Sequence, residues 1–160
     1  MAKIVVKTII NAPIDRVFDL ARSIDLHKSS TSGTNEEAIA GKTSGLVELN
    51  DTVTWRAKHF GIYQELTVKI IKLEKPLMFH DVMQKGTFKS MAHTHSFKQE
   101  NGYTLMTDNF VFTSPLGFLG TIAEVIFLKS YMKKFLMNKN KELKRVAESD
   151  DWKAVLNIEI

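Results

Sequence analysis

Apolar residues alternate with polar ones at the start of the chain, which predicts a β-strand over Lys3–Ile10. The segment Asn11-Ala12-Pro13 then favours the start of a helix, because proline suits a first helical position. We expect the apolar face of this helix to contain Val17, Phe18 and Ala21. Ser23 is placed to cap a second short helix through Leu26 and His27, and we expect this histidine near solvent.

Between residues 35 and 112 the pattern changes to strands, with turn residues about every ten positions. The turns are predicted at residues 41–45, Asn50-Asp51, Phe60-Gly61, Lys75-Pro76, Lys85-Gly86 and Asn101-Gly102. Six strands fit between them, so the predicted sheet has seven strands with the first. A two-residue turn after His59 would pair it with Ile62 and place Leu66, Val68 and Ile70 on the same apolar face.

After Phe112 the apolar residues recur with the period of a helix, which begins at an N-cap and first-turn proline, Ser114-Pro115. We predict one long helix from about Pro115 to Ala147, packed across the concave face of the sheet. The residues at helical spacing are Phe118, Ile122, Val125, Lys129, Met132, Leu136, Leu143 and Val146. We expect the first five of these to face the sheet.

The composition is that of one ordinary globular domain: 160 residues, 44% hydrophobic, 25% charged, three prolines and no cysteine. The lack of cysteine excludes disulfides and thiolate chemistry. Lys3 and Lys7 interrupt the first apolar stretch before it reaches signal-peptide length, and no run is long enough to span a membrane. We therefore expect a cytoplasmic location.

The net charge of +4 comes from one segment near the end of the chain. Seven of the 22 basic residues lie in residues 129–145, where Glu142 is the single acidic residue. Because the charge is local, no nucleic-acid partner is expected. The simplest interpretation of this basic run is the solvated end of a helix, and its functional alternative is transient contact with an anionic membrane surface.

The predicted order of a strand, two short helices, six antiparallel strands and a long helix resembles the START-like superfamily, also called SRPBCC, to which the birch-pollen allergen belongs. The resemblance rests on residues 12–20 and 51–61, on Phe97 behind His93 and His95, and on residues 114–117. It covers nearly the whole chain and is closest to small stand-alone bacterial members.

The resemblance implies an α+β helix-grip fold, in which a seven-stranded curved antiparallel sheet wraps around a long C-terminal helix. It implies a single ligand-binding domain over residues 1–160. It also implies a deep apolar cavity between sheet and helix, which members of the superfamily use to bind lipids, sterols, polyketides or plant hormones. Some branches cyclise or dehydrate polyketides there.

Two histidines and an aspartate fall on the inward face of the last predicted hairpin. His93 and His95 share that face on one strand, and Asp108 shares it on the next. Closing the hairpin on Asn101-Gly102 places Asp108 opposite His95, whereas closing it on Glu100-Asn101 places Asp108 opposite His93. Either closure yields a histidine–aspartate pair that points toward the apolar interior.

Asp81 joins the same face, opposite Met91, if residues 85–87 form a three-residue loop. Three interpretations of the cluster stay open. It is an internal network that satisfies its own hydrogen bonds, or an acid–base set with His93, His95 and Asp108 as catalytic residues, or a facial triad for iron or zinc. Because the resembled superfamily requires no metal, we expect neither a metal nor a cofactor.

The predicted ligand-binding residues combine apolar inward positions with these polar ones. They are Trp55, His59, Phe79, Asp81, Met83, Met91, His93, His95, Met106, Asp108, Phe110, Phe118, Ile122 and Val125. We expect a cavity of a few hundred Å³ that binds a small hydrophobic molecule, such as a lipid, sterol-like compound, polyketide or quinone. The protein is then a carrier or sensor, as a monomer or homodimer. The alternative is an enzyme of the polyketide cyclase/dehydrase type.

Overall fold

The computed structural model describes residues 1–114 and 121–157, and for residues 32 and 121–125 it describes the backbone alone. The strands are β1 Ala2–Ile10, β2 Glu37–Gly41, β3 Thr52–His59, β4 Ile62–Glu74, β5 Met78–Lys85, β6 Ser90–Glu100 and β7 Tyr103–Thr113. The helices are α1 Ile14–Ala21, α2 Ile24–Ser30, α3 Thr121–Glu148 and α4 Asp151–Val155, with a 3-10 turn at Ser32–Thr34.

The seven described strands form one antiparallel sheet in the order β1-β7-β6-β5-β4-β3-β2. Neighbours along the chain pair with each other from β2 to β7, and β1 closes the far edge against β7. The predicted pairing of His59 with Ile62 is observed. Phe60 and Gly61 between them have φ angles of 52° and 78°, as a two-residue hairpin turn requires. The predicted α+β helix-grip architecture is confirmed.

The two short helices follow β1 as predicted, with one difference at the first. Ser23 caps α2, because its Oγ accepts a hydrogen bond from the backbone N–H of Leu26 at 3.2 Å. Pro13 precedes α1 instead of occupying its first turn, since a ψ of 146° keeps this residue extended and the helix starts at Ile14. Phe18 on the inner face of α1 is buried, as expected.

The long helix α3 packs on the inner face of the sheet with Leu136, Leu143 and Val146 buried, as expected. Lys129 is exposed, contrary to the prediction, because Leu128 takes the inward position and leaves the neighbouring charge in water. Pro115 and Phe118 lie outside the described residues, and the side chains of Ile122 and Val125 are not described. Across residues 1–114 and 121–157, none of the helices has the length and hydropathy to span a bilayer.

The buried apolar residues form two clusters. The packed cluster joins α1, the later turns of α3 and the sheet; its members are Ile10, Ala12, Val17, Phe18, Leu20, Leu26, Phe79, Phe97, Met106, Leu143, Val146 and Ala147. The open cluster consists of Ala2, Ile4, Val6, Ile24, Val47, Val53, Trp55, Val68, Ile70, Met91, Phe110, Phe112 and Leu136. The candidate site lies in the open cluster.

Candidate ligand-binding site

A cavity of about 360 Å³ lies between the sheet and α3. This volume falls in the range of small-molecule sites, roughly 300–1,000 Å³. Its apolar wall includes Val53, Val68, Ile70, Leu128, Met132 and Leu136. The predicted ligand-binding residues that line it are Trp55, His59, Phe79, Asp81, Met91, His93, His95 and Phe110.

Three predicted residues are not among the described residues that line the cavity. Met106 shares the inward face of β7 but packs in the packed cluster, since α1 and the end of α3 cover that part of the strand. Asp108 lies behind the two histidines. Met83 packs half-buried against the open cluster from the later part of β5. Phe118 lies in the part of the chain that the structure does not describe, as do the side chains of Ile122 and Val125.

The turn between β6 and β7 decides which histidine faces the aspartate. Glu100 pairs with Tyr103 around Asn101 and Gly102, and this register places His95 opposite Asp108. Both histidines nevertheless reach the carboxylate: Oδ1 of Asp108 lies 2.9 Å from Nε2 of His93 and 2.8 Å from Nδ1 of His95. The three side chains are less than a tenth exposed.

Asp81 faces the same side of the sheet as the two histidines but pairs with His93, not with Met91. The pairing of β5 with β6 ends at Val82 and Ala92, so the connecting loop is longer than the predicted three residues. A shift of two residues keeps a side chain on the same face, because side chains alternate with a period of two. Oδ1 of Asp81 lies 3.7 Å from Nε2 of His95.

The long helix contributes Asn140, which the sequence pattern did not indicate. Its Nδ2 donates to Oδ2 of Asp108 at 2.6 Å and to Oγ1 of Thr8 at 3.1 Å. Asn140 is 4% exposed although it stands within the basic run, where a solvated surface was expected. Its position four residues after Leu136, on the same side of the helix, is the signal that could have found it.

The environment separates the pKa values of the two histidines. Burial opposes ionisation of Asp108, but the hydrogen bonds and charges of His93 and His95 outweigh it and hold its pKa well below the ordinary value. Burial lowers the pKa of His93, and the charge of His95 acts in the same direction. For His95 burial is outweighed by contacts with Asp108 and Asp81, which raise its pKa. His95 therefore holds its proton more strongly than His93.

A second polar group lines the cavity from α2. His27 stacks on Trp55, with ring centroids 4.0 Å apart and an interplanar angle of 17°, and its Nε2 lies 3.0 Å from Oε2 of Glu36. His27 was expected near solvent, but the chain after α2 brings Glu36 against it and Trp55 covers its ring. Burial, with the charge of Lys139, lowers the pKa of His27 against the opposing effect of Glu36.

Lys139 reaches the cavity from α3, three residues after Leu136. Within the described parts of the chain its ammonium makes no hydrogen bond and no ion pair. Burial lowers the pKa of Lys139, while the carboxylates of Glu36, Asp108 and Asp81 act in the opposite direction. The sequence did not indicate this residue either, since it belongs to the same basic run.

Aromatic side chains mark the place where the cavity meets solvent. Nδ1 of His59 lies 2.8 Å from Oη of Tyr131, and Phe60 packs against Tyr131 and Phe127 at centroid distances of 4.7 and 5.6 Å. Phe60 lines the cavity and is 54% exposed, and Phe127 is 59% exposed. We call Phe60, Phe127 and Tyr131 the aromatic rim.

No protein-family model matches the sequence, and no curated protein matches it. Several solved structures are similar to this chain in fold. TTHA0849 from Thermus thermophilus superposes with a TM-score of 0.75 at 16% identity, over 90% of this chain and 95% of that one. A START superfamily protein from Mycobacterium smegmatis gives 0.70 at 11% identity, over 91% and 97%. Ginseng major latex-like protein 151 from Panax ginseng gives 0.68 at 15% identity, over 92% and 98%.

At these identities the likeness concerns the fold. The chain has the START-like, or SRPBCC, helix-grip fold, as the resemblance in sequence implied. The cavity described above occupies the space between sheet and long helix that is characteristic of this fold.

Proposed function

We propose that the protein binds a small amphipathic molecule in this cavity. The observation that carries the proposal is the division of the cavity wall into two parts. Apolar side chains of the open cluster form one part and suit the body of a lipid, sterol-like compound, polyketide or quinone. Titratable side chains form the other part and suit a polar end. The likeness to a START superfamily protein and to a major latex-like protein supports this proposal.

Lys139 gives the polar end of the ligand its chemistry. Lys139 is half-buried and its ammonium has no partner among the described residues, so an anionic or hydrogen-bond-accepting group in the cavity would supply the missing contact. His93, His95 and His27 line the same cavity and add polar ring nitrogens to its wall. The preferred ligand therefore has an apolar body and an acidic or carbonyl-bearing end.

Such a ligand would reach the cavity through contact of the protein with a membrane. Ile126 and Phe127 are exposed at the start of α3, and Lys129, Lys133 and Lys134 are exposed one to two turns later. Apolar side chains beside lysines suit an anionic lipid surface. Sedimentation with phosphatidylserine vesicles, but not with phosphatidylcholine vesicles, is the expected result.

An enzyme of the polyketide cyclase/dehydrase type is the second candidate, and the different pKa values of the two histidines favour it. His93 would accept a proton from the substrate and His95 would donate one, while Asp108 positions both rings. In that case Asp108→Asn lowers turnover of a polyketide-type substrate by roughly two orders of magnitude or more. A carrier would release the same compound unchanged.

Two fluorescent probes of nearly equal shape test the proposed function. 1-Anilinonaphthalene-8-sulfonate carries an anionic group, and N-phenyl-1-naphthylamine lacks it. We expect the wild-type protein to bind both. Lys139→Met should weaken the anionic probe by about tenfold, which corresponds to about 1.4 kcal/mol, and leave the neutral probe unchanged.

Lys141→Met is the matched control, because Lys141 is exposed on the same helix. It should bind both probes like the wild type. Failure of the wild type to bind either probe would refute the proposed function. Equal binding of the anionic probe by both variants would show that the polar end of the ligand does not lie at Lys139.

A further inference from the structure

We propose that Asp81, His93 and His95 form a binding site for one divalent transition-metal ion of the Zn²⁺ class, with Asp108 as the carboxylate that orients both histidines. The ligand atoms of the three residues lie within 4.8 Å of one another, and all three residues are buried. The inference departs from the expectation of no metal that the resemblance gave. It is independent of whether an apolar molecule fills the cavity.

The hydrogen bonds fix which ring nitrogens are free. Oδ1 of Asp108 faces Nε2 of His93 and Nδ1 of His95, so each of these nitrogens carries a proton that it donates to the carboxylate. The other oxygen of the carboxylate accepts from Asn140. Nδ1 of His93 and Nε2 of His95 are therefore the nitrogens left for a metal ion, which would replace any proton that they hold. A carboxylate that holds the second nitrogen of a metal-ligating histidine is the usual outer shell of such a site.

The free nitrogen of His95 points at the third candidate ligand. Its Nε2 lies 3.7 Å from Oδ1 of Asp81, too far for a hydrogen bond. Two ligands that each lie about 2.0–2.2 Å from a zinc ion are themselves separated by slightly less than this. An ion between them therefore requires only a small contraction of the two side chains.

The charges of the cluster suit a divalent ion. Asp81 and Asp108 are two carboxylates in one buried cluster, and a divalent ion held by neutral imidazoles would balance both of them. Lys139 faces both carboxylates, but it also faces Glu36, which offsets its charge. One divalent ion neutralises the remaining two negative charges.

The set of two imidazoles and one carboxylate leaves coordination positions open, and all three residues line the cavity. Such a set suits zinc or ferrous iron, and its open positions accept an oxygen atom of a bound molecule. The metal would thus hold the polar end of a ligand directly.

Metal titration of the full chain tests the proposal. Protein freed of metal with a chelator is titrated with Zn²⁺ by calorimetry and with Co²⁺ by visible absorption, without any apolar ligand. We expect one ion per chain. Asp81→Asn should weaken binding at least about 100-fold, and Asp108→Asn about 10–100-fold.

His80→Gln is the matched control, because His80 precedes Asp81 on the opposite face of β5 and contacts Thr94. It should bind the metal like the wild type. NMR of the wild-type imidazoles gives a second measurement that needs no variant: Zn²⁺ should shift the nitrogen signals of His93 and His95 but not of His80. Absence of stoichiometric binding, or equal binding by Asp81→Asn, would overturn the proposal. If the chelated protein still binds N-phenyl-1-naphthylamine, the proposed function survives that result.

Discussion

The packed cluster and the open cluster consist of the same kinds of residue, yet only one of them encloses a cavity. In the packed cluster Phe18 is 1% exposed and meets Phe79 and Phe97 edge-on, at centroid distances of 5.8 and 5.3 Å. In the open cluster Trp55 stacks on His27 and borders empty space. Residue type alone therefore does not decide where a core is solid.

The difference lies in what covers the sheet. The short helix α1 contacts α3, β6 and β7, so two helices fill the groove over the packed cluster. Beside the cavity α3 is accompanied by α2, which contributes Ile24 and His27 to the wall, and the two helices leave volume between them and the sheet. The polar network lies where the two arrangements meet, since His95 stacks on Phe79 and His93 meets Phe110 edge-on.

Truncation of one large side chain in each cluster should give the largest contrast. Phe18→Ala leaves a void among close-packed rings and should lower the free energy of unfolding by about 3–5 kcal/mol. Met132→Ala, at a half-buried position on the cavity wall, enlarges a space that is already present and should cost about 1 kcal/mol or less. Urea denaturation measures both. Similar costs for the two variants would contradict the division into a solid and an open cluster.

Enlargement of one side chain in each cluster should give the same contrast with a smaller effect. Met106→Trp forces extra volume into the packed cluster and should cost about 1–3 kcal/mol. Met132→Trp places the same ring in the cavity, so it should leave stability nearly unchanged and reduce binding of N-phenyl-1-naphthylamine. A variant at residue 106 that is stable but blocks the probe would show that the cavity extends into the packed cluster.

The pH dependence of stability should come from the open cluster and is the smallest of the three effects. The pKa of His27 is lowered by burial in the native state, so the unfolded chain binds the proton more tightly. The contribution of neutral His27 to the free energy of unfolding is therefore fully present above pH 6.5, roughly the unfolded pKa. It falls as the pH drops below this value, by at most about 1.4 kcal/mol per pH unit for this group. Chemical denaturation of the wild type and of His27→Gln between pH 7 and pH 5.5 should give a smaller slope for the variant. Identical slopes would exclude His27 as a source.

The sequence predicted the faces of the strands but not every partner across them. Alternation placed His93, His95 and Asp108 on one inward face, because a period of two survives any even shift of register. It does not decide between two closures of the last hairpin, and it places Asp81 opposite Met91 only for a three-residue loop after β5, whereas the observed connection is longer and pairs Asp81 with His93. Loop length depends on tertiary contacts that the local pattern does not contain.

The sequence did not predict the inward positions of the polar residues of α3, for a different reason. Lys139 and Asn140 stand in a run of lysines whose simplest interpretation is a solvated helix end. A buried amine or amide needs hydrogen-bond or charge partners, and the local sequence pattern does not show where these lie. The partner of Asn140 is Asp108, 32 residues away. The helical spacing from Leu136 was the only feature of the sequence that indicated an inward position for Lys139 and Asn140.

The hydrogen bonds of Asn140 also contribute to the axial position of the long helix on the sheet. Apolar contacts are non-directional, whereas a hydrogen bond forms at only one axial position of the helix. A slip of one turn, about 5.4 Å, would remove Asn140 from Asp108 and Thr8 and leave a buried carboxylate without that donor. The amide of Asn140 thus favours one axial position of α3 over the others. Since Leu128, Met132 and Leu136 lie on the same helix, a side chain outside the cavity contributes to the shape of the space in which a ligand would have to fit.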